Sequence, residues 1–170
     1  MNVATRLEST ADWSRVEEVV QDAFGQAEEA RLVTRLRSID GVLSLVAVID
    51  GIIVGHLMFS PIRARDGSPT SSAYGLAPVA VTRDWQRRGV GSTLIAAGIE
   101  ELRRRGVGLI VVLGHPSYYP RFGFVAAARH GLVCKWGGDD GAFQMLELVP
   151  GAAASYRGVI DYDEVFDRST

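Results

Sequence analysis

The chain has 170 residues, 47% of them apolar, a formal net charge of −2 and one cysteine, Cys134. That length fits one domain, residues 1–170, large enough to bury a sizeable core. The charge balance excludes a general basic field for nucleic acid, the lone cysteine excludes an internal disulfide, and no apolar run approaches the ~20 residues of a membrane span, so a soluble, cytoplasmic protein is expected.

Asn2 to Glu8 reads as a short strand. Trp13, Val16, Val19, Val20 and Phe24 then recur at three- and four-residue spacing, which predicts a helix with these side chains inward. Ser9 or Thr10 is the expected cap and Gly25 the expected stop. A second helix is predicted over Ala27 to Arg37, with Leu32, Val33 and Leu36 inside. Glu28 and Glu29 stand in its first turn, where carboxylates suit the helix dipole. Leu43 to Ile49 and Ile52 to Phe59 are β-rich runs joined by Asp50-Gly51, a hairpin signal. His56 lies in the second run and reads as a packed, hydrogen-bonded histidine. Pro61 argues against a regular ladder there. The strand is expected to resume over Ile62 to Arg65, with a loop at Asp66 to Pro69.

Thr70 to Ala73 lead into the apolar run Leu76 to Val81. Gln86-Arg87-Arg88-Gly89-Val90-Gly91-Ser92 follows, and a helix is predicted over Gly91 to Arg105. Leu94, Ile95, Ile99 and Leu102 are its buried stripe, and Gly106 its stop. Strand, basic turn and helix start, in that order, present backbone N–H groups where peptide dipoles place roughly half a positive charge. Phosphate is the usual anion at such a site. The glycines let a ligand approach the main chain, and Arg87 and Arg88 add charge. The stretch therefore reads as a pyrophosphate holder. No G-x-x-x-x-G-K-[S/T] run exists, which excludes a Walker loop. Leu94 stands where a dinucleotide fingerprint needs its third glycine.

Val107 to Leu113 is an apolar run expected as a buried parallel strand reached by a right-handed crossover. Gly114 to Ser117 leaves its C-terminal end. Loops there line clefts, so His115 is better placed for chemistry than His56. Tyr118-Tyr119-Pro120-Arg121-Phe122-Gly123-Phe124 comes next, with Phe122 and Phe124 expected in the core. Strands are predicted from Phe124 to Ala128 and from Ala142 to Val149. Gly131 to Gly141 reads as a connection that turns at Gly137 to Gly141, and Tyr156 to Ile160 as an edge segment.

Two motifs carry a resemblance. V-x-x-x-x-Q-R-x-G-x-G, starting at Val81, and the Tyr118 to Phe124 segment together resemble the acyl-CoA site of the GNAT family of N-acetyltransferases. The second segment, with Ala142 to Leu148, is most similar to a subgroup of uncharacterised members ending in Y-Y-x-R-F-G-F. The resemblance covers most of the chain and is weakest over the first forty residues. It implies an α/β fold: a mixed central sheet of about seven strands, flanking helices and a splayed strand pair that takes the cofactor. It also implies acetyl-CoA as cosubstrate, no metal, and direct transfer of an acetyl group to a primary amine.

By that likeness, main-chain groups of Val79, Ala80 and Val81 pair with the pantetheine arm, and the Val81 N–H faces the thioester oxygen. Gln86, Arg87, Arg88, Gly89, Val90, Gly91 and Ser92 hold the diphosphate. Tyr119, four residues before the motif glycine Gly123, meets the leaving thiolate. The helices near Glu28 border the acceptor cleft. No base is identified: His115 is one candidate, since histidine is the side chain suited to proton exchange near neutral pH, and a water relay to Glu28, Glu29 or Asp140 is another. A small-molecule amine, a peptide N-terminus and a lysine side chain all stay open as acceptors. Homodimers are common in the family. The alternative is a non-catalytic acyl-CoA sensor on the same fold, since fold alone does not fix function.

Overall fold

The computed structural model describes residues 1–63, 69–137, 140–156, 158–162 and 166–167. In chain order they form β1 (Ala4–Leu7), α1 (Trp13–Phe24), α2 (Glu28–Leu36), β2 (Leu43–Ile49), β3 (Ile52–Arg63) and β4 (Pro69–Val81). After these come α3 (Val90–Arg104), β5 (Leu109–Leu113), β6 (Val125–Ala126), β7 (Leu132–Cys134), β8 (Phe143–Glu147) and β9 (Gly158–Ile160). Seven strands make one mixed sheet in the order β1-β2-β3-β4-β5-β8-β6, and β7 pairs with β9 in a separate parallel pair. Of the expected loop at Asp66 to Pro69, the first three residues lie outside those described, and Pro69 already opens β4. Gly138 and Asp139, in the expected turn, also lie outside them. The chain divides into two compact units, Met1–Phe59 with Ala77–Glu101 and Val165–Thr170, and Ser60–Leu76 with Leu102–Glu164.

In the first unit, helical periodicity builds the core. Val16, Val19 and Val20 of α1 and Leu32, Val33 and Leu36 of α2 pack with Val46, Ile53, Met58 and Ala80. Burying one such side chain contributes ~1.5–3 kcal/mol. Ser9 precedes a short 3-10 turn, and its backbone N–H and hydroxyl both reach the Asp12 carboxylate. Gly25 ends α1 in the left-handed region. Trp13 and Phe24 depart from expectation: they are 45% and 41% exposed. Both sit at the ends of α1, beyond the stripe its middle turns bury, and Trp13 instead underlies the Arg37 guanidinium at 4.9 Å. Asp50 and Gly51, at φ 50° and 78°, close the β2–β3 hairpin as their dipeptide predicts.

His56 is fully buried, as expected for a packed histidine, and it belongs to a polar network. Arg37 pairs with Glu8, and the Ser44 hydroxyl donates to Glu8 at 2.8 Å. That hydroxyl has one proton, so toward His56 Nε2, 2.8 Å away, it must accept. The imidazole is therefore the neutral Nε2–H tautomer. Burial lowers its pKa to about 4, against the raising influence of Glu8 and with a smaller lowering from Arg37. The unfolded histidine titrates near 6.5. Between those values the unfolded chain binds a proton that the folded one refuses, so stability is full above 6.5 and falls as pH drops toward 4. The loss should reach roughly 3 kcal/mol. Urea unfolding from pH 7.5 to 4.5 should show this slope, and His56→Gln, which keeps a donor for Ser44, should flatten it. Equal slopes in the two proteins would remove His56 from the acid response.

In the second unit, β5 is buried over Leu109 to Val112, as a strand covered on both faces should be. It runs parallel to β4 through Ala73↔Leu109, Tyr74↔Ile110 and Gly75↔Val111, and that ladder ends at Gly75. β8 lies antiparallel to β5 on its other side, and β6 pairs with β8 through Val125↔Met145 and Ala126↔Gln144. Three expectations change. β3 runs through Pro61 to Arg63, because a proline is tolerated where its missing N–H has no ladder bond to make. The strand from Phe124 shrinks to two residues, since Ala127–His130 winds into a 3-10 turn. The connection after Gly131 contains β7, a strand of three residues, too short for alternation to reveal.

Candidate functional site

The basic turn sits in the first unit, at the end of β4. Thr82 fixes the strand exit by donating its N–H to the Val54 carbonyl at 2.9 Å. A 3-10 turn, Arg83–Trp85, follows. Its Arg83 N–H donates to Asp22 of α1 at 2.8 Å. Gln86 turns back, and its Nε2 donates to the Val81 carbonyl at 2.9 Å. The turn is thus tied to the strand at one end and to α1 at its middle.

Arg87 takes φ 59° and Gly89 φ 85° to bring the chain into α3. The first residue of α3 to close a helical bond here is Thr93, whose N–H donates to the Gly89 carbonyl at 3.0 Å. A Cβ on Gly89 would meet nothing within 4 Å among the described residues. The outer face of this corner is therefore open to a ligand. Arg87 and Arg88 are exposed, and Arg88 lies over the Trp85 ring at 5.2 Å. Val90 is buried and anchors the first turn, while Gly91 and Ser92 are half-buried. An open helix start flanked by two guanidinium groups fits a diphosphate.

The tyrosine pair belongs to the second unit. Tyr119–Phe122 form a 3-10 turn that ends at Gly123 with φ 96°. Tyr119 is half-buried, edge-on to Tyr118 at 5.1 Å and to Phe124 at 5.6 Å between ring centroids. Burial, then the neighbouring Tyr118, pushes its hydroxyl up to about 12. It therefore carries its proton throughout the neutral range. Gly114 makes room for this ring, because a Cβ there would stand 2.5 Å from Tyr119 Cε2. Phe124 is buried as expected, and Phe122 only half-buried.

His115 is exposed, and the polar contacts it makes run through its backbone carbonyl. Glu29 accepts from Gln26 at 3.0 Å, and Asp140 accepts the Ala142 N–H at 3.1 Å, so both have local structural work. Sequence reasoning missed Asp22, Gly114 and Gln144. A buried polar residue inside an apolar strand is the signal that Gln144 offered. A cavity of about 460 Å³ in the second unit, lined by Arg129, His130 and Glu147, includes none of the predicted site residues. Among the described residues no helix is long and apolar enough to cross a membrane, and no group of three His, Cys, Asp or Glu side chains could hold a metal.

Residues 13–124 match the Acetyltransferase (GNAT) family. The chain is 34% identical over 166 residues to the uncharacterized N-acetyltransferase YhbS of Escherichia coli (strain K12), which spans 96% of this chain and 98% of that one. The crystal structure of Escherichia coli YhbS in complex with CoA superposes with a TM-score of 0.88 at 35% identity, covering 98% of this chain and 92% of that one. A GNAT family acetyltransferase from Brucella melitensis, in complex with acetyl-CoA, gives 0.80 at 32% identity over 98% and 99% of the two chains. With the match reaching from α1 through both signature segments, the chain belongs to the GNAT family of acetyltransferases.

Proposed function

We propose that this protein moves an acetyl group from acetyl-CoA to a primary amine by direct transfer, in the cytoplasm. The observation that carries the reading is the corner at Gly89, where an open glycine face, a helix start and two exposed guanidinium groups meet. Relatives that resemble the chain over nearly its whole length have been crystallised with CoA and with acetyl-CoA, which supports the same ligand here. Gln86 to Ser92 are the residues proposed to hold its diphosphate. Val79, Ala80 and Val81 offer main-chain groups to the pantetheine arm, beyond the point where the β4–β5 ladder ends.

Acetyl-CoA supplies an activated thioester. The Val81 N–H is the proposed donor to the thioester oxygen as negative charge develops there, and a fixed donor lowers that barrier. Gln86 holds the Val81 carbonyl, in the peptide unit that follows, and so braces the strand end beside that N–H. Tyr119 is the proposed donor to the departing sulfur. Its pKa of about 12 lies well above the ordinary 8.5 of a thiol, so it stabilises the thiolate by hydrogen bonding rather than by complete proton transfer. An alkylammonium acceptor has a pKa near 10 and must lose a proton before it attacks. The exposed His115 imidazole is the proposed acceptor of that proton, directly or through water.

The test is release of free thiol from acetyl-CoA in the presence of a panel of small amines, N-terminal peptides and lysine peptides. Amine-dependent release is expected for at least one class. Tight acetyl-CoA binding with no release across the panel would favour the sensor reading.

A further inference from the structure

We infer that Gln144 is a positioning residue for Tyr119, acting through the turn that joins β5 to the tyrosine pair; this rests on the assignment of Tyr119 as donor to the leaving thiolate. Gln144 is 2% exposed, on β8, where its backbone pairs with Val112 on one side and Ala126 on the other. Its Nε2 donates to the His115 carbonyl at 3.2 Å. The same carbonyl accepts the Tyr118 N–H at 3.1 Å, which closes a tight turn over His115 to Tyr118. A carbonyl only accepts, so the amide nitrogen of Gln144 must face it.

Two further anchors hold the same segment. Gly114, just before the turn, donates its N–H to the Ala142 carbonyl at 2.9 Å. Arg121, just after it, donates Nε to the Tyr118 carbonyl at 2.8 Å and lies over the Tyr118 ring at 4.2 Å. Of these three anchors, Gln144 is the one whose side chain comes from the sheet interior. A buried amide is unfavourable there unless hydrogen-bonded, and an apolar side chain would pack without that condition. Its contact fixes the carbonyl on which the turn closes, four residues before Tyr119. Misplacement of a reacting group by about 1 Å costs up to ~100-fold in rate, so slack in this turn reaches the chemistry.

Gln144→Leu and Gln144→Glu, alone and combined with Tyr119→Phe, test this. Protein labelled with 3-fluorotyrosine gives one ¹⁹F resonance for each tyrosine, and Tyr119→Phe identifies that of Tyr119. Folded Gln144→Leu should shift the Tyr119 resonance and leave that of Tyr74 in place. It should also lower kcat about 10-fold, with the KM for acetyl-CoA unchanged. The double variant should be no slower than Tyr119→Phe alone. An unmoved Tyr119 resonance, or losses that multiply in the double variant, would overturn the inference. If Gln144→Leu does not fold, Gln144→Glu decides: its rate relative to wild type should rise as pH falls and the carboxyl regains a donor, and a flat ratio would overturn it. The two levels stay distinct. Full activity in Tyr119→Phe removes the assignment of Tyr119 and the inference with it, whereas a slow Tyr119→Phe beside an unmoved resonance in Gln144→Leu removes the inference alone.

Discussion

Tyr119→Phe is expected to lower kcat about 100-fold and to leave the KM for acetyl-CoA within about twofold, the pattern of a donor used in the transition state. The substitution removes one oxygen and keeps the ring. The ring makes the edge-on contacts to Tyr118 and Phe124, so packing should survive. The hydroxyl is raised to about 12 by burial, which sets a second expectation. Wild-type rate should climb with pH as the acceptor amine loses its proton, with no decline from Tyr119 up to pH 10. Steady-state kinetics from pH 6 to 10 measure both effects. A Phe variant that turns over at wild-type speed would leave the departing sulfur to solvent and end this role for Tyr119.

Gly89→Ala should raise the KM for acetyl-CoA about 10- to 100-fold, the size of lost hydrogen bonds to a charged group. Two effects compete in that variant. At φ 85° a Cβ costs about 1–2 kcal/mol of folding stability. The same Cβ also points into the space a diphosphate would fill. Gly106, just past the C-terminal end of α3, separates the two. It has φ 78° and a Cβ there likewise meets nothing within 4 Å among the described residues, so Gly106→Ala carries the strain without the obstruction. Both variants should melt several degrees lower, and only Gly89→Ala should bind acetyl-CoA poorly in calorimetry. Equal affinities would move the diphosphate away from this corner.

The parts of the fold legible in the sequence are those whose cause is local. The β2–β3 hairpin follows from Asp50-Gly51, and the corner from a strand, two arginines and two glycines in sequence. The α1 and α2 stripes follow from spacing, but spacing does not say where a stripe stops, so it points Trp13 inward although the ring lies outside under Arg37. Pro61 reads as a break because the sequence does not show which backbone groups need partners. The grip of Gln144 on His115 spans 29 residues and exists only because β5 and β8 are neighbours. The turn before Tyr119 is recognisable from its aromatic residues, whereas Gln144 shows only as a polar residue in an apolar strand, with nothing local to name its partner.

The three-residue ladder between β4 and β5 has a consequence for handling the protein. Past Gly75 the β5-facing edge of β4 makes no ladder pair with β5 among the described residues, and strand backbone of that kind can pair with an extended peptide. If the proposed pantetheine arm pairs there, that length of β4 is open to other extended chains until the arm arrives. On that proposal the cosubstrate would also shield the edge, and protein kept with coenzyme A is expected to store better than protein stripped of it.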